Sequence, residues 1–192
     1  MKNKTAQPIT KQIAVTAILL AICILSQFLK NLSVYVTGPI VNLCLIMAAM
    51  SVGLVWGIIL ALITPVTAFL IAASPVMTAV PGIIPLIMLG NAVLVVCVYF
   101  LFRPAVTGGK PLISIRSLLM ALISCAAKGA FMGLTIALWL LPTFIPEASP
   151  LRGKMPVFQT TFSLTQFITA VIGFVYFFII WTPLSKSLAS DE

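Results

Sequence analysis

The chain has 192 residues, 61% of them hydrophobic and only 7% charged, with a mean hydropathy of +1.23. A soluble domain of this length cannot hide so much apolar surface, so the composition excludes an ordinary soluble fold and places the chain with membrane proteins. The net charge of +8 comes from 11 Lys and Arg against 3 Asp and Glu, and because the basic residues flank apolar runs it speaks for membrane topology and anionic headgroups, not for nucleic acid as a partner.

Six apolar spans follow one another, each close to the ~17–25 residues that cross a bilayer as a helix. The first is 13–28, preceded by Lys2, Lys4 and Lys11. A secretory signal has a similar basic start, but no small-residue cleavage site follows and more spans do, so 13–28 reads as a retained helix. The second and third, 40–55 and 57–72, are marginal in length and nearly continuous; the break lies between Ser51 and Gly57, where glycine permits a tight reversal. Pro75, Pro81, Gly82 and Pro85 punctuate a short segment before the fourth span, 84–102. Arg103 to Pro111 is a polar turn, and the fifth span is 117–141. A loop carrying Pro142, Pro146, Pro150 and Pro156 leads to the sixth, 160–181. The pattern predicts an all-α fold: an integral membrane bundle of six transmembrane helices in a single domain, 1–192.

Positive charge sets the expected orientation. With both termini cytoplasmic, the inside holds Lys2, Lys4, Lys11, Arg103, Lys110, Arg116 and Lys186, and the outside only Lys30, Arg152 and Lys154. The Pro-rich loop 142–158 then lies outside.

Several chemistries are missing from the sequence. There is no His, so no His general base and no His-based metal site; no metal or other cofactor is expected. Cys23, Cys44, Cys97 and Cys125 lie in apolar segments without a C-x-x-C pair and read as buried small hydrophobes. No phosphate-binding P-loop and no G-x-S-x-G elbow occurs, so the chain is not expected to be an enzyme, and any ATP it uses is hydrolysed by another subunit. The acids Glu147, Asp191 and Glu192 all lie outside the spans. Ion-coupled carriers commonly need ionisable relays or oxygen ligands within the membrane, which lowers that reading, although backbone carbonyls also bind sodium.

Lys128 is the exception to this apolar interior. It sits deep in the fifth span, where an ammonium costs at least ~2.5–3.5 kcal/mol and usually faces a bundle interior or a wet cavity. No carboxylate occurs at its depth, so a ligand from outside is the candidate partner. At ~1.5 Å rise per residue, Asn91 lies roughly 10 Å and Gln166 roughly 9 Å in from the outer surface, with Lys128 about 20 Å from the outer end of its helix. Thr135 and Trp139 follow Lys128 at helical spacing and extend its face outward. Asn91, Lys128, Thr135, Trp139 and Gln166 are therefore the candidate lining of one externally open cleft. Competing readings give Asn91 and Gln166 to interhelical hydrogen bonds, Trp139 to the interfacial belt, and Lys128 to backbone carbonyls or snorkelling. Gly129 and Gly133 read as a close-packing face, Gly53 and Gly57 as part of the chain reversal, and Ala17 and Ala21 as a small-residue pair for internal packing or for docking another membrane subunit.

These features together resemble a known family. Ala17 to Ala21, Val52 to Gly57, Pro81-Gly82, Gly90-Asn91, Ala127-Lys128 and Phe162 to Gly173, in this order and in a chain of this size, resemble the substrate-binding S component of an energy-coupling-factor (ECF) vitamin transporter, over nearly the whole chain. The resemblance implies a multi-pass protein of a bacterial-type plasma membrane that binds a vitamin or related micronutrient in the outer half of its bundle, beneath closing loops. It implies partners: a transmembrane coupling subunit, contacted through Ala17 and Ala21, and two cytoplasmic ATPases. It also implies that Asn91, Lys128 and Gln166 are ligand contacts. A lone cation with two amides suits an organic anion such as pantothenate or nicotinate, while a neutral ligand bonded to Lys128 stays open. The alternative functional class is a small secondary carrier acting alone, and a more remote one is a membrane enzyme or assembly factor.

Overall fold

The computed structural model describes residues 8–29, 33–80 and 82–190, with side chains as far as Leu184. Lys2, Lys4, Lys30, Pro81, Asp191 and Glu192, and the side chain of Lys186, lie outside the described residues. The described residues are mostly helical, with no strand among them. Six helices are long and apolar enough to cross a membrane.

Helix α1 is Ile9–Gln27, α2 Val34–Ser51 and α3 Leu54–Ala72. A short α4, Pro75–Ala79, follows. Helix α5 runs Ile83–Val106 and α6 Ile115–Phe144. Helix α7 is Met155–Phe162 and α8 Leu164–Ser190.

The boundaries differ from the sequence reading where side chains override hydropathy. Helix α2 starts six residues earlier than the expected 40–55, because the Ser33 hydroxyl accepts from Tyr35 N and caps the helix. Its end comes at Gly53, whose φ of 100° only glycine adopts without strain. Gly57 is not part of that reversal. It lies inside α3, where a Cβ would come 2.8 Å from Val95 Cγ1, so its role is to bring α3 against α5. The punctuated segment after α3 is itself a helical turn, started by Pro75 at a position that needs no N–H. The sixth span is broken at Ser163, where φ −123° and ψ −88° leave the helical region and separate α7 from α8.

Helix α8 packs on α2 and α6, α5 on α3 and α6, and α1 on α2 and α3. Gly129 and Gly133 pack closely as expected: Cβ atoms there would lie 2.9 Å from Phe167 Cβ and 3.2 Å from Ser163 Cβ. One buried cluster fills the half of the bundle nearer the termini, around Leu45, Leu60, Leu94 and the edge-to-face rings of Phe102, Phe174 and Phe177. A second lies at the opposite end, where Val76 and Met77 of α4 and Phe162 of α7 cover Ile83, Met132 and Ile136. Outward faces carry large apolar side chains such as Leu70, Ile18 and Ile179, as a lipid environment requires. With six spans alternating in direction, both described ends of the chain emerge at one end of the bundle. Lys11, Arg103, Lys110 and Arg116 lie at that end, and Glu147, Arg152 and Lys154 at the other.

Candidate ligand-binding site

Three helices meet at Lys128. Its side chain is 2% exposed and donates from Nζ to Asn42 Oδ1 at 2.6 Å and to Asn91 Oδ1 at 2.8 Å. The approach depends on two glycines. A Cβ on Gly90 would lie 2.5 Å from Met132 Cγ, so glycine there lets α5 close on α6 and carry Asn91 to Lys128. A Cβ on Gly173 would lie 2.8 Å from Asn42 Cβ, so glycine there lets α8 close on α2. Asn42 Nδ2 in turn donates to Thr169 Oγ1 at 3.3 Å, and that hydroxyl donates to Thr165 O.

The donor pattern is fixed by chemistry. An ammonium has three donors and no acceptor, so both asparagines must turn their oxygens toward it. Asn42 then spends its NH₂ on Thr169, whereas the NH₂ of Asn91 makes no hydrogen bond among the described residues. Two of the three Lys128 donors are used by the asparagines. The one acid among the described residues, Glu147, stands in a loop 4.0 Å from Arg152. Among the described residues, then, the buried cation is held only by neutral oxygens, with a free amide donor beside it.

Lys128, Asn42 and Asn91 form the floor of a cavity of about 340 Å³. That volume is at the lower end of the ~300–1,000 Å³ typical of small-molecule sites. Its walls come from Thr37 and Val41 of α2, Thr64 and Ala68 of α3, and Ile87 of α5. Gln27, at the end of α1, and Gln166, at the start of α8, flank it. Val76 and Met77 of α4 and Phe158 and Phe162 of α7 cover the end away from the termini. An apolar chamber with few polar groups, one of them charged, is the usual composition of a small-ligand site.

The expected cleft is therefore lined by three of its five candidates, Asn91, Lys128 and Gln166. Gln166 donates from Nε2 to Thr161 O at 3.1 Å, which ties α8 to α7 across the Ser163 break. Thr135 and Trp139 are not among the lining residues. From Gly133 to Leu140 the helix winds as a π-helix, whose wider turn shifts the register assumed by counting at α-helical spacing. Thr135 donates its hydroxyl to Phe131 O at 2.7 Å, and Trp139 is 59% exposed on the outer surface.

Counting depth along the chain overlooked Asn42, Thr37, Gln27 and Thr64. Asn42 carried a signal, being an amide inside the apolar run of α2, as Asn91 is in α5. Nothing in the sequence placed α7 over the cavity, because the Ser163 break depends on tertiary contacts. Ala17 and Ala21, the candidate docking pair, both lie on the exposed side of α1, beside Ile18 and Leu25. No protein-family model matches this chain, and no curated protein or solved structure matches it either.

Proposed function

We propose that this chain is the membrane-embedded substrate-binding S component of an ECF-type importer, taking up a small anionic micronutrient of the carboxylate class, of which pantothenate is an example. One observation carries the ligand part of the reading: a buried Lys128 at the floor of a cavity, held by two neutral amide oxygens. A cation so placed has been stripped of water without gaining a counter-charge, so an anion entering the cavity supplies the missing half of an ion pair. The free NH₂ of Asn91 adds a donor to the same anion.

The transport part is supported by the sequence resemblance, by six spans around a cavity covered at the end away from the termini, and by the exposed small residues of α1. The absence of a P-loop from the sequence assigns energy supply to partner subunits, which here are the coupling protein and its two ATPases.

Ligand titration of the purified protein, with native mass spectrometry to identify a co-purified small molecule, tests the reading. Lys128→Ala is expected to weaken binding by more than tenfold while the protein still folds; unchanged affinity would sink it. Liposomes containing this chain alone are expected to show no uptake. Accumulation without ATPase subunits identifies an independent carrier instead.

A further inference from the structure

The cavity has a second polar end, distinct from the Lys128 floor. Five threonines are buried among the described residues: Thr16, Thr37, Thr64, Thr165 and Thr169. Thr16 and Thr169 donate to carbonyls four residues earlier in their own helices, and Thr165 pairs with the Tyr35 hydroxyl. Thr64 Oγ1 is buried without a partner among the described residues, Thr37 makes no side-chain hydrogen bond to any of them, and both residues line the cavity. Buried hydroxyls in helices normally satisfy themselves against the preceding turn, so two residues of one cavity wall that do not require a reason.

Gln27 belongs to the same end. Its Nε2 donates to Thr64 O at 3.1 Å, which places Gln27 directly against Thr64. A carbonyl oxygen only accepts, so the amide nitrogen must face it and Gln27 Oε1 points elsewhere. Gln27 Oε1 and Thr64 Oγ1 are both closed off from water-sized space and, among the described residues, without a partner, so a ligand reaches them when these side chains turn toward the cavity that both residues line. The pair thus offers an unmet acceptor beside an unmet hydroxyl.

The level of this second end follows from helix packing. Gly57 of α3 meets Val95 of α5, and the two helices run antiparallel. Thr64, seven residues on from Gly57, lies level with position 88 of α5, three residues above Asn91. At ~1.5 Å per residue that is about 5 Å nearer the covered end. Thr37 lies five residues above Asn42 on α2, or about 7 Å by the same rise.

We infer that the ligand is a hydroxylated carboxylate: its anionic group sits on Lys128 and Asn91, and a hydroxyl about one helical turn away is bonded by Gln27, Thr64 and Thr37. A hydroxyl meets both demands with a single atom, accepting from Thr64 Oγ while donating to Gln27 Oε1. An acid whose far end carries only acceptors, as a pyridine nitrogen does, leaves Gln27 Oε1 unpaired. The inference rests on the anionic reading of Lys128 and adds to it the chemistry of the other end.

Purified protein is titrated with butanoate, pentanoate and hexanoate, each against its terminally hydroxylated counterpart, by ligand-observed NMR. At one or more chain lengths the hydroxy acid is expected to bind at least about fivefold tighter, the scale of one well-made hydrogen bond to an otherwise unmet group. Thr64→Val, of nearly the same shape, is expected to bring that ratio to about one by weakening the hydroxy acid more than the plain acid. Thr37→Val is the second variant, expected to lower the ratio in part, and the wild-type ratio needs no variant at all. Ratios near one at every length, or a preference untouched in both variants, overturn the inference while sparing the anionic reading. Plain acids that bind equally to wild type and to Lys128→Met, or acids that do not bind at all, overturn the anionic reading and this inference with it.

Discussion

Lys128 Nζ donates to Asn91 Oδ1 across 2.8 Å, and each of the two residues stands next to a glycine that lets its helix close on a neighbour: Gly129 against Phe167 and Gly90 against Met132. The charged site and the tight packing are one construction. The helices approach only because side chains are missing at these positions, and the approach brings a neutral oxygen to the ammonium. This coupling makes the site testable by changes that keep its shape.

Asn91→Asp changes one NH₂ to an oxygen and little else. It supplies the carboxylate that Lys128 lacks, so the cation is neutralised from within. Anion affinity is expected to fall by more than tenfold, while the melting temperature stays the same or rises. Asn91→Leu removes an acceptor instead and leaves Lys128 underbonded, at a cost of about 1–3 kcal/mol. Thermal unfolding and ligand titration of the two variants separate a lost counter-charge from a lost fold. If Asn91→Asp binds anions as tightly as the wild type does, Lys128 is not their anchor.

The packing predicts a graded series at glycine. Gly173→Ala puts a methyl 2.8 Å from Asn42 Cβ and 3.2 Å from backbone atoms of α2, which cannot yield as a flexible side chain does. Overpacking of this kind typically costs about 1–3 kcal/mol. Because the displaced helix carries Asn42, weaker ligand binding is expected along with the lower melting temperature. At Gly153 a Cβ meets nothing within 4 Å, so Gly153→Ala is the silent control. Equal melting temperatures for the two variants would show that α2 and α8 do not pack as described.

How far the site was legible follows from where its geometry originates. Hydropathy alone marks the six spans, because a lipid-exposed helix must be apolar along its length. Lys128 was legible for the same reason, as a charge in such a span. Its partner Asn42 was missed because the contact joins residues 86 apart in sequence, and only the α2–α8 packing at Gly173 fixes it. Thr135 and Trp139 lie off the cavity lining, because α-helical spacing does not hold through a segment that winds more widely. Such a change of winding comes from tertiary packing, which periodicity does not carry.

That placement predicts a negative result. Thr135→Val and Trp139→Leu alter residues outside the cavity, so ligand affinity is expected to change by less than about twofold in each. Substitution at an exposed position such as Trp139 usually shifts stability within about 0.5 kcal/mol. A tenfold loss of binding in Trp139→Leu would return the π-helical segment to the site and place the cavity wrongly.

The outer face of α1 is predicted to matter for assembly and not for binding. Ala17 and Ala21 lie one helical turn apart on the exposed side, so a large side chain at either meets no residue of this chain, while a second helix seated there would be pushed away. The doubly substituted Ala17→Trp, Ala21→Trp protein is expected to fold and to titrate with ligand as the wild type does. Co-expressed with coupling and ATPase subunits, it is expected to fail to copurify with them and to support no ATP-dependent uptake. The contrast between the two measurements is what gives the variant its value: a defect in both points to a damaged bundle, and a defect in assembly alone assigns the face to the partner. A complex of normal yield would mean that α1 docks nothing through these two alanines.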